Sequence, residues 1–251
     1  MVGLQLRHPV SVIAIHGGPG MDCSYFHPYL DDLQNHYHTR FLDLVGCSVP
    51  GFFEQITSLI EILPSRRVVL LGHSFGAALA VDYISQNPGK IRAGVLIAPI
   101  YDTGWIEIFN SRFGAREESL TLQIASEHFP TEDAAFREST KAYVDLYFHE
   151  DYLDMGLRVL DGVRYDKKVY ERVSSDYTNS LDLRRQLELL PIPALFIAGE
   201  NDQIVPAAYV AAGARRAPHS SLQIIPKAGH FPFVEKPKQV VKAITDFISS
   251  S

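Results

Sequence analysis

The amino-acid sequence predicts an α/β protein in which helices flank a mostly parallel sheet and a helical segment is inserted between two strands. Short apolar runs bounded by glycine or proline alternate with helical patterns along most of the chain, which is typical of a parallel sheet covered on both faces. The alternation stops between about residues 101 and 180, where aromatic and charged residues are abundant and no strand pattern is found. We therefore expect a core formed by residues 1–100 and 181–251, and a helical insertion formed by residues 101–180.

The composition is that of a globular protein and argues against several classes of partner. A chain of 251 residues is long enough for one large domain, and its net charge of -6 leaves no basic stripe for nucleic acid or an anionic membrane. No apolar run approaches the roughly 18 residues of a membrane span, and the N-terminus lacks a signal-peptide pattern. Cys23 and Cys47 have neither CxxC spacing nor a disulfide pattern, so we expect reduced thiols and a cytoplasmic protein.

Six apolar runs predict the strands of the sheet. They are Val10–Ile15, His38–Leu44, Arg67–Gly72, Ala93–Pro99, Pro193–Gly199 and Ser221–Pro226. Helical patterns lie between them, near residues 24–35, 52–62, 75–87, 205–217 and 234–249. The last helix is the clearest, because its apolar residues fall on one face and Pro237 suits its first turn. Helices are also expected in the insertion, since a structureless loop of that length is rare.

The motif Gly72-His73-Ser74-Phe75-Gly76 fits G-x-S-x-G and lies between an apolar strand and a helix. A serine on so sharp a turn is forced into strained dihedral angles, and the glycines on either side remove side chains that would clash. The turn exposes the hydroxyl at a helix N-terminus, where developing negative charge is favoured. We therefore predict that Ser74 is a nucleophile rather than an ordinary turn residue.

A serine nucleophile needs a base, and the sequence offers His230. His230 lies in a loop bounded by glycine and proline after the sixth strand, at the sheet edge where the Ser74 turn is expected. Asp202 follows the fifth strand at the same edge and is predicted to orient the imidazole. Glu200 is the alternative acid, and Asp202 could instead cap the helix that follows it. The chain order Ser74, Asp202, His230 is the one expected for this architecture.

The segment His16–Gly20, with the sequence HGGPG, follows the first strand and predicts an oxyanion hole. Its glycines let the backbone turn, so we expect the N–H groups of Gly18 and Phe75 to stabilise an oxyanion. His16 is predicted to be structural and to bond to neighbouring backbone. The spacing matches no nucleotide-binding loop, and no cluster of Cys and His has metal-ligand spacing, so we expect no cofactor and no metal.

Four segments together resemble the α/β-hydrolase superfamily: HGGPG, GHSFG, GENDQIVP and GHFPFVEKP, in this order and each at a strand end. HGGPG is similar to the oxyanion loop of proline iminopeptidase-type aminopeptidases, although these often carry tryptophan where this chain has Phe75. The resemblance implies the α/β-hydrolase fold, a Ser74/Asp202/His230 triad and a lid formed by residues 101–180. The superfamily usually has two more strands before the oxyanion loop, so we expect the N-terminal strands to be reduced here.

The insertion is expected to contribute the substrate pocket. Its aromatic residues can line an apolar pocket or pack inside the insertion, and the candidates are Trp105, Phe109, Phe113, Tyr143, Tyr147 and Phe148. Those predicted to contact substrate are Trp105, Phe109, Tyr143 and Tyr147. An aminopeptidase would also need an acidic group for the substrate amine. The sequence singles out none of the candidates, which are Glu107, Glu117, Glu118 and Glu150.

We interpret the chain as a serine hydrolase that cleaves a small-molecule ester, amide or thioester through an acyl-enzyme intermediate. The first alternative is a proline iminopeptidase-like aminopeptidase acting on short peptides. The second is a lyase, cyclase or ligand-binding protein on the same scaffold, since fold does not imply function. The sequence indicates neither the identity of the substrate nor an oligomeric state.

Overall fold

The centre of the fold is a six-stranded sheet in which every neighbouring pair of strands runs parallel. A computed structural model describes residues 10–65, 67–127 and 129–251. The strands are β1 Ser11–Ile15, β2 His38–Leu42, β3 Val68–His73, β4 Ile91–Ile97, β5 Ala194–Gly199 and β6 Ser220–Ile225. Their order across the sheet is β2-β1-β3-β4-β5-β6. The predicted parallel sheet is therefore confirmed, and each predicted strand lies within two residues of an observed one.

Helices cover both faces of this sheet. In the described part of the chain they are α1 Val49–Ile62, α2 Phe75–Gln86, α3 Gly104–Ser126, α4 Glu132–Lys141, α5 Val144–Tyr147, α6 Leu153–Gly162, α7 Lys167–Asp176, α8 Arg184–Glu188, α9 Ala207–Arg216, α10 Pro232–Glu235 and α11 Pro237–Ser250. None of these helices is long and apolar enough to cross a membrane. The single helix predicted over residues 24–35 is wrong. Two short 3-10 helices, Cys23–Phe26 and Asp31–Asn35, lie there instead, separated by Pro28, which has no N–H for a continuous helix.

The alternation of side chains along β1 explains the two hydrophobic clusters. Ile13 and Ile15 point to one face of the sheet and pack in the cluster that includes α1, α2 and α9. Val12 and Ala14 point to the other face and pack in the cluster that includes α11. All five residues of β1 are buried, as expected for a central strand covered on both sides.

The chain between β4 and β5 forms the insertion, and its described residues form helices and turns apart from one isolated bridge between Asp102 and Asp182. The insertion contributes Leu146 to one hydrophobic cluster of the core and Leu160 to the other. Its helical character agrees with the sequence, while the domain boundaries stay a prediction. The expected reduction of the N-terminal strands concerns residues 1–9, which lie outside the described residues.

Candidate active site

Ser74 occupies a strained turn between β3 and α2. Its φ of 54° and ψ of -116° lie in a region that non-glycine residues rarely adopt. A Cβ at Gly72 would overlap the carbonyl oxygen of Gly76, and a Cβ at Gly76 would overlap that of Ile15. The Ser74 N–H donates to the carbonyl oxygen of Ile97 at 2.8 Å, which anchors the turn to β4. The motif glycines are therefore required by close backbone packing, as the sequence predicts.

His230 and Asp202 form a buried pair. His230 Nδ1 lies 2.8 Å from Asp202 Oδ2, and the two residues are 3% and 4% exposed. The other carboxylate oxygen accepts the N–H groups of Ile204 and Val205, each at 2.8 Å. A carboxylate on Nδ1 keeps the proton there and leaves the Nε2 lone pair free to act as a base.

Glu200, the alternative acid, takes no part in this pair. Its side chain is exposed and accepts the N–H of Lys227 at 3.2 Å. Asp202 also serves the turn that follows β5, but the residue at the N-cap of α9 is Pro206. Of the two carboxylates considered in the sequence, the structure thus brings Asp202 to His230.

Glu235 supports the loop that carries His230, although no motif in the sequence identifies it. Its carboxylate is buried and accepts the N–H of Gly229 and the N–H of His149 in the insertion, both at 2.7 Å. Burial raises the pKa of Glu235 to about 7. Next to it, the His230 N–H donates to the carbonyl oxygen of Tyr147 at 2.6 Å. A glutamate directly after the apolar run Phe231–Val234 was the available signal, because such a charge is buried only when it is bonded.

The predicted oxyanion loop, His16–Gly20, packs against the Ser74 turn. A Cβ at Gly17 would lie 3.2 Å from the Cβ of Ser74, and Gly18 has a φ of 111° and lines the same cavity as Ser74. Phe75 is the first residue of α2, so its N–H has no acceptor within the helix. Of the two expected donors, Phe75 thus directly follows Ser74 in the chain, and Gly18 shares the cavity lining with Ser74. His16 bonds to backbone, as predicted: Nδ1 lies 2.8 Å from the Gly17 carbonyl oxygen and Nε2 accepts the Leu44 N–H at 3.1 Å.

A cavity of about 400 Å³ lies between this edge of the sheet and the insertion. Ser74 and His230 line it from the core. The four predicted aromatic residues line it from the insertion, together with residues that the sequence analysis did not select: Ile106, Asn110, Thr140, Tyr170, Ser174 and Asn179. Among the described residues, Glu117 is the one carboxylate on the cavity wall. The other candidates, Glu107, Glu118 and Glu150, do not line the cavity.

A serine on a strained strand-to-helix turn, beside a buried His–Asp pair at one edge of a parallel sheet, is the arrangement expected of an α/β-type hydrolase. Residues 12–243 match the model of the Alpha/beta hydrolase family. The match covers most of the chain, and the chain belongs to this family, as the motifs in the sequence predict.

Similar proteins include esterases and a peptidase. The chain is 27% identical to a pimeloyl-[acyl-carrier protein] methyl ester esterase of Xanthomonas campestris pv. campestris (strain B100), over 94% of this chain and 92% of the relative. It is 22% identical to a proline iminopeptidase of Heyndrickxia coagulans, over 95% and 90% of the two chains. The solved structure of a thermophilic esterase from Thermogutta terrifontis matches with a TM-score of 0.76 at 18% identity. The match covers 97% of this chain and 91% of that chain, and at this identity it shows a similar fold.

Proposed function

We propose that the protein is a serine esterase that cleaves a small-molecule ester through an acyl-enzyme intermediate. The observation that carries the proposal is that Ser74 and His230 line one cavity while Asp202 holds the Nδ1 of His230 at 2.8 Å. The esterase among the similar proteins supports the ester as the scissile group. In this proposal the insertion is the lid, because it supplies the aromatic side of the cavity wall.

The reaction uses each of these groups in turn. Ser74 Oγ attacks the ester carbonyl carbon and transfers its proton to His230 Nε2, while Asp202 stabilises the imidazolium. The N–H groups of Gly18 and Phe75 donate to the oxyanion of the tetrahedral intermediate. His230 then returns the proton to the departing alcohol, and the acyl group stays on Ser74. A water molecule, deprotonated by His230, attacks the acyl-enzyme, and His230 passes this proton to Ser74 Oγ as the bond to Ser74 breaks and the carboxylic acid is released.

The test is hydrolysis of a panel of p-nitrophenyl acyl esters, methyl esters, and proline and alanine p-nitroanilides. We expect ester turnover by the wild type and a loss of at least about 10³-fold in Ser74→Ala. Ser174→Ala is the matched control, because Ser174 lines the same cavity but has no part in the proposed chemistry. Ester turnover that survives in Ser74→Ala would contradict the proposal.

A fluorophosphonate probe separates the remaining alternatives, because it reacts with an activated serine. Labelling of Ser74 without hydrolysis of any ester, thioester or anilide would favour the lyase or cyclase alternative over the esterase. An unlabelled Ser74 would favour the ligand-binding alternative, since a receptor needs no activated nucleophile.

The second candidate function is an aminopeptidase of the proline iminopeptidase type, and Glu117 is the observation that favours it. A carboxylate on the cavity wall, facing the cavity together with Tyr143, Tyr147 and Tyr170, is suited to a substrate ammonium group. Glu117→Gln should then raise KM for proline p-nitroanilide about 10-fold and leave KM for neutral esters unchanged. Glu118→Gln, which changes a neighbouring carboxylate absent from the wall, is the control. Equal KM values in both variants would remove this candidate.

A further inference from the structure

On the core side of the cavity, a series of hydrogen bonds through the lining residues Tyr25 and His73 joins the oxyanion loop to the backbone of His230. The N–H of Gly17 donates to Tyr25 Oη. Tyr25 Oη lies 2.9 Å from His73 Nδ1, and His73 Nε2 lies 2.9 Å from the carbonyl oxygen of His230. Tyr25 and His73 are 2% and 1% exposed, so water does not compete for these bonds. This series of hydrogen bonds therefore links three segments that are far apart in sequence.

Whether each group can donate or accept determines the position of every proton in this series of hydrogen bonds. A backbone N–H can only donate, so Tyr25 Oη accepts from Gly17 and its single hydrogen remains for His73 Nδ1. His73 Nδ1 is then the acceptor, and the ring proton lies on Nε2. A backbone carbonyl can only accept, so His73 Nε2–H donates to His230. A neutral His73 with its proton on Nε2 satisfies all three bonds.

The surroundings keep both side chains in these states. Burial, followed by the nearby His230, lowers the pKa of His73 well below its usual value, and His16 acts in the same direction. Burial raises the pKa of Tyr25 well above 10, so its phenol keeps the proton. The rings of Phe231 and Phe233 pack on His73 with centroid distances of 4.9 and 5.1 Å and carry no charge. His73 thus stays neutral while its neighbour His230 becomes an imidazolium in the proposed reaction.

We propose that Tyr25 and His73 are positioning residues that hold the oxyanion loop and His230 in one fixed relation for proton transfer. They act through the Gly17 N–H and the His230 carbonyl rather than on the scissile bond. Binding of the Gly17 N–H by Tyr25 withholds this group from the substrate and fixes the His16–Gly17 peptide group, which precedes the one that carries the Gly18 N–H. The inference rests on the proposed function, because it assigns the histidine and the loop the roles given there.

The principal test is Tyr25→Phe, which removes one oxygen and keeps the ring that packs on Phe26, Phe231 and Phe233. We expect kcat for ester hydrolysis and the rate of fluorophosphonate labelling to fall together by about 10- to 100-fold, with KM changed less than twofold. The control is Tyr37→Phe, because Tyr37 is also buried and its hydroxyl donates to the carbonyl oxygen of Thr245 at 3.4 Å, but it is absent from the cavity lining. A kcat for Tyr25→Phe within twofold of the wild type would overturn the proposal.

A second measurement does not depend on the variant being folded. In ¹⁵N NMR spectra of the wild-type protein, we expect His73 to show the neutral Nε2–H tautomer from pH 5 to pH 8. An Nδ1–H tautomer, or protonation of His73 within this range, would also overturn the proposal. Failure of the esterase function has a different signature, since Ser74→Ala would then retain ester turnover whatever the behaviour of Tyr25→Phe.

Discussion

Helix α2 of the core, which follows Ser74, and helix α3 of the insertion, which lines the cavity, are held in different ways. Nine of the twelve residues of α2 are buried, and this helix begins directly after Ser74. In contrast, every side chain of α3 whose burial is described is half-buried or exposed, although Trp105, Phe109 and Glu117 reach the cavity. Close packing fixes a side chain to one position, whereas a loosely packed wall tolerates substitution. We therefore expect the proposed chemistry to depend on the closely packed side of the cavity and substrate selectivity to depend on the loosely packed side.

The polar contacts differ in the same way. His230 and Asp202 form a pair whose side chains are 4% and 0% exposed. The Arg116–Asp145 pair of the insertion has similar distances, but its side chains are 40% and 47% exposed. Water and salt weaken the second pair much more than the first.

The largest expected effect is that of Asp202→Asn on the core side. The amide oxygen can still accept the N–H groups of Ile204 and Val205, which turns the amide nitrogen toward His230 Nδ1. A donor there forces the proton of His230 onto Nε2, so we expect kcat for ester hydrolysis to fall by about 10⁴-fold. Glu200→Gln, a change to an exposed carboxylate after the same strand, should stay within twofold. A loss below tenfold for Asp202→Asn would show that the pair is structural.

A glycine-to-alanine substitution in each helix compares the packing directly. Gly76→Ala places a methyl group against the carbonyl oxygens of Ile15 and His16, and we expect the free energy of unfolding to fall by about 3 kcal/mol. In α3, the Cβ that Gly114→Ala adds meets no atom within 4 Å. Because alanine has the better helix propensity, we expect this substitution to raise the free energy of unfolding by about 0.5–1 kcal/mol. Urea unfolding measures both changes. Equal destabilisation by the two substitutions would contradict the difference between the helices.

Glu235 lies where the two regions join, and it predicts a pH dependence. Its pKa is raised from 4.5 to about 7, so the folded protein binds this proton more tightly than the unfolded chain does. The contribution of this proton to the free energy of unfolding is fully present below about pH 4.5 and is lost as the pH rises through 7. Relative to Glu235→Gln, the wild type should therefore lose on the order of 2 kcal/mol of unfolding free energy between pH 5 and pH 8. Urea titrations at four pH values measure this loss, with Glu150→Gln, a change to an exposed carboxylate, as the control. If the unfolding free energies of the wild type and Glu235→Gln followed parallel curves against pH, the prediction would be refuted.

The smallest effect is expected for Asp145→Asn on the surface of the insertion. Arg116 loses its bidentate partner but keeps its bond to the Ala142 carbonyl oxygen at 2.7 Å. We expect a decrease of less than about 1 kcal/mol in the free energy of unfolding, and none in 1 M NaCl. Urea unfolding at two salt concentrations tests this, and a decrease that persists at high salt would mean that the insertion is held more rigidly than its exposure indicates.

Local patterns in the sequence determined the sheet and much of the candidate site. The apolar runs predicted the six strands, and in β1, β3, β4 and β5 burial on both faces demands such continuous hydrophobic residues. The edge strands β2 and β6 are mostly half-buried or exposed. The strained turn at Ser74 follows from two glycines within five residues, and the sheet edge that carries Ser74 also receives Asp202 and His230 because each follows a strand. Of the six aromatic residues of the insertion that the sequence offers for the pocket, four line the cavity, whereas Phe113 and Phe148 do not.

Tertiary structure alone decided which residues support these groups. Tyr25 meets His73 across 48 positions of the chain, and Glu235 meets His149 across 86. It also singled out Glu117 among four similar glutamates, because a place on the cavity wall depends on how α3 lies over the sheet. The physical reason is that a strand or a turn is specified by its own neighbours in sequence, whereas a buried polar contact requires two distant segments to be brought together by packing.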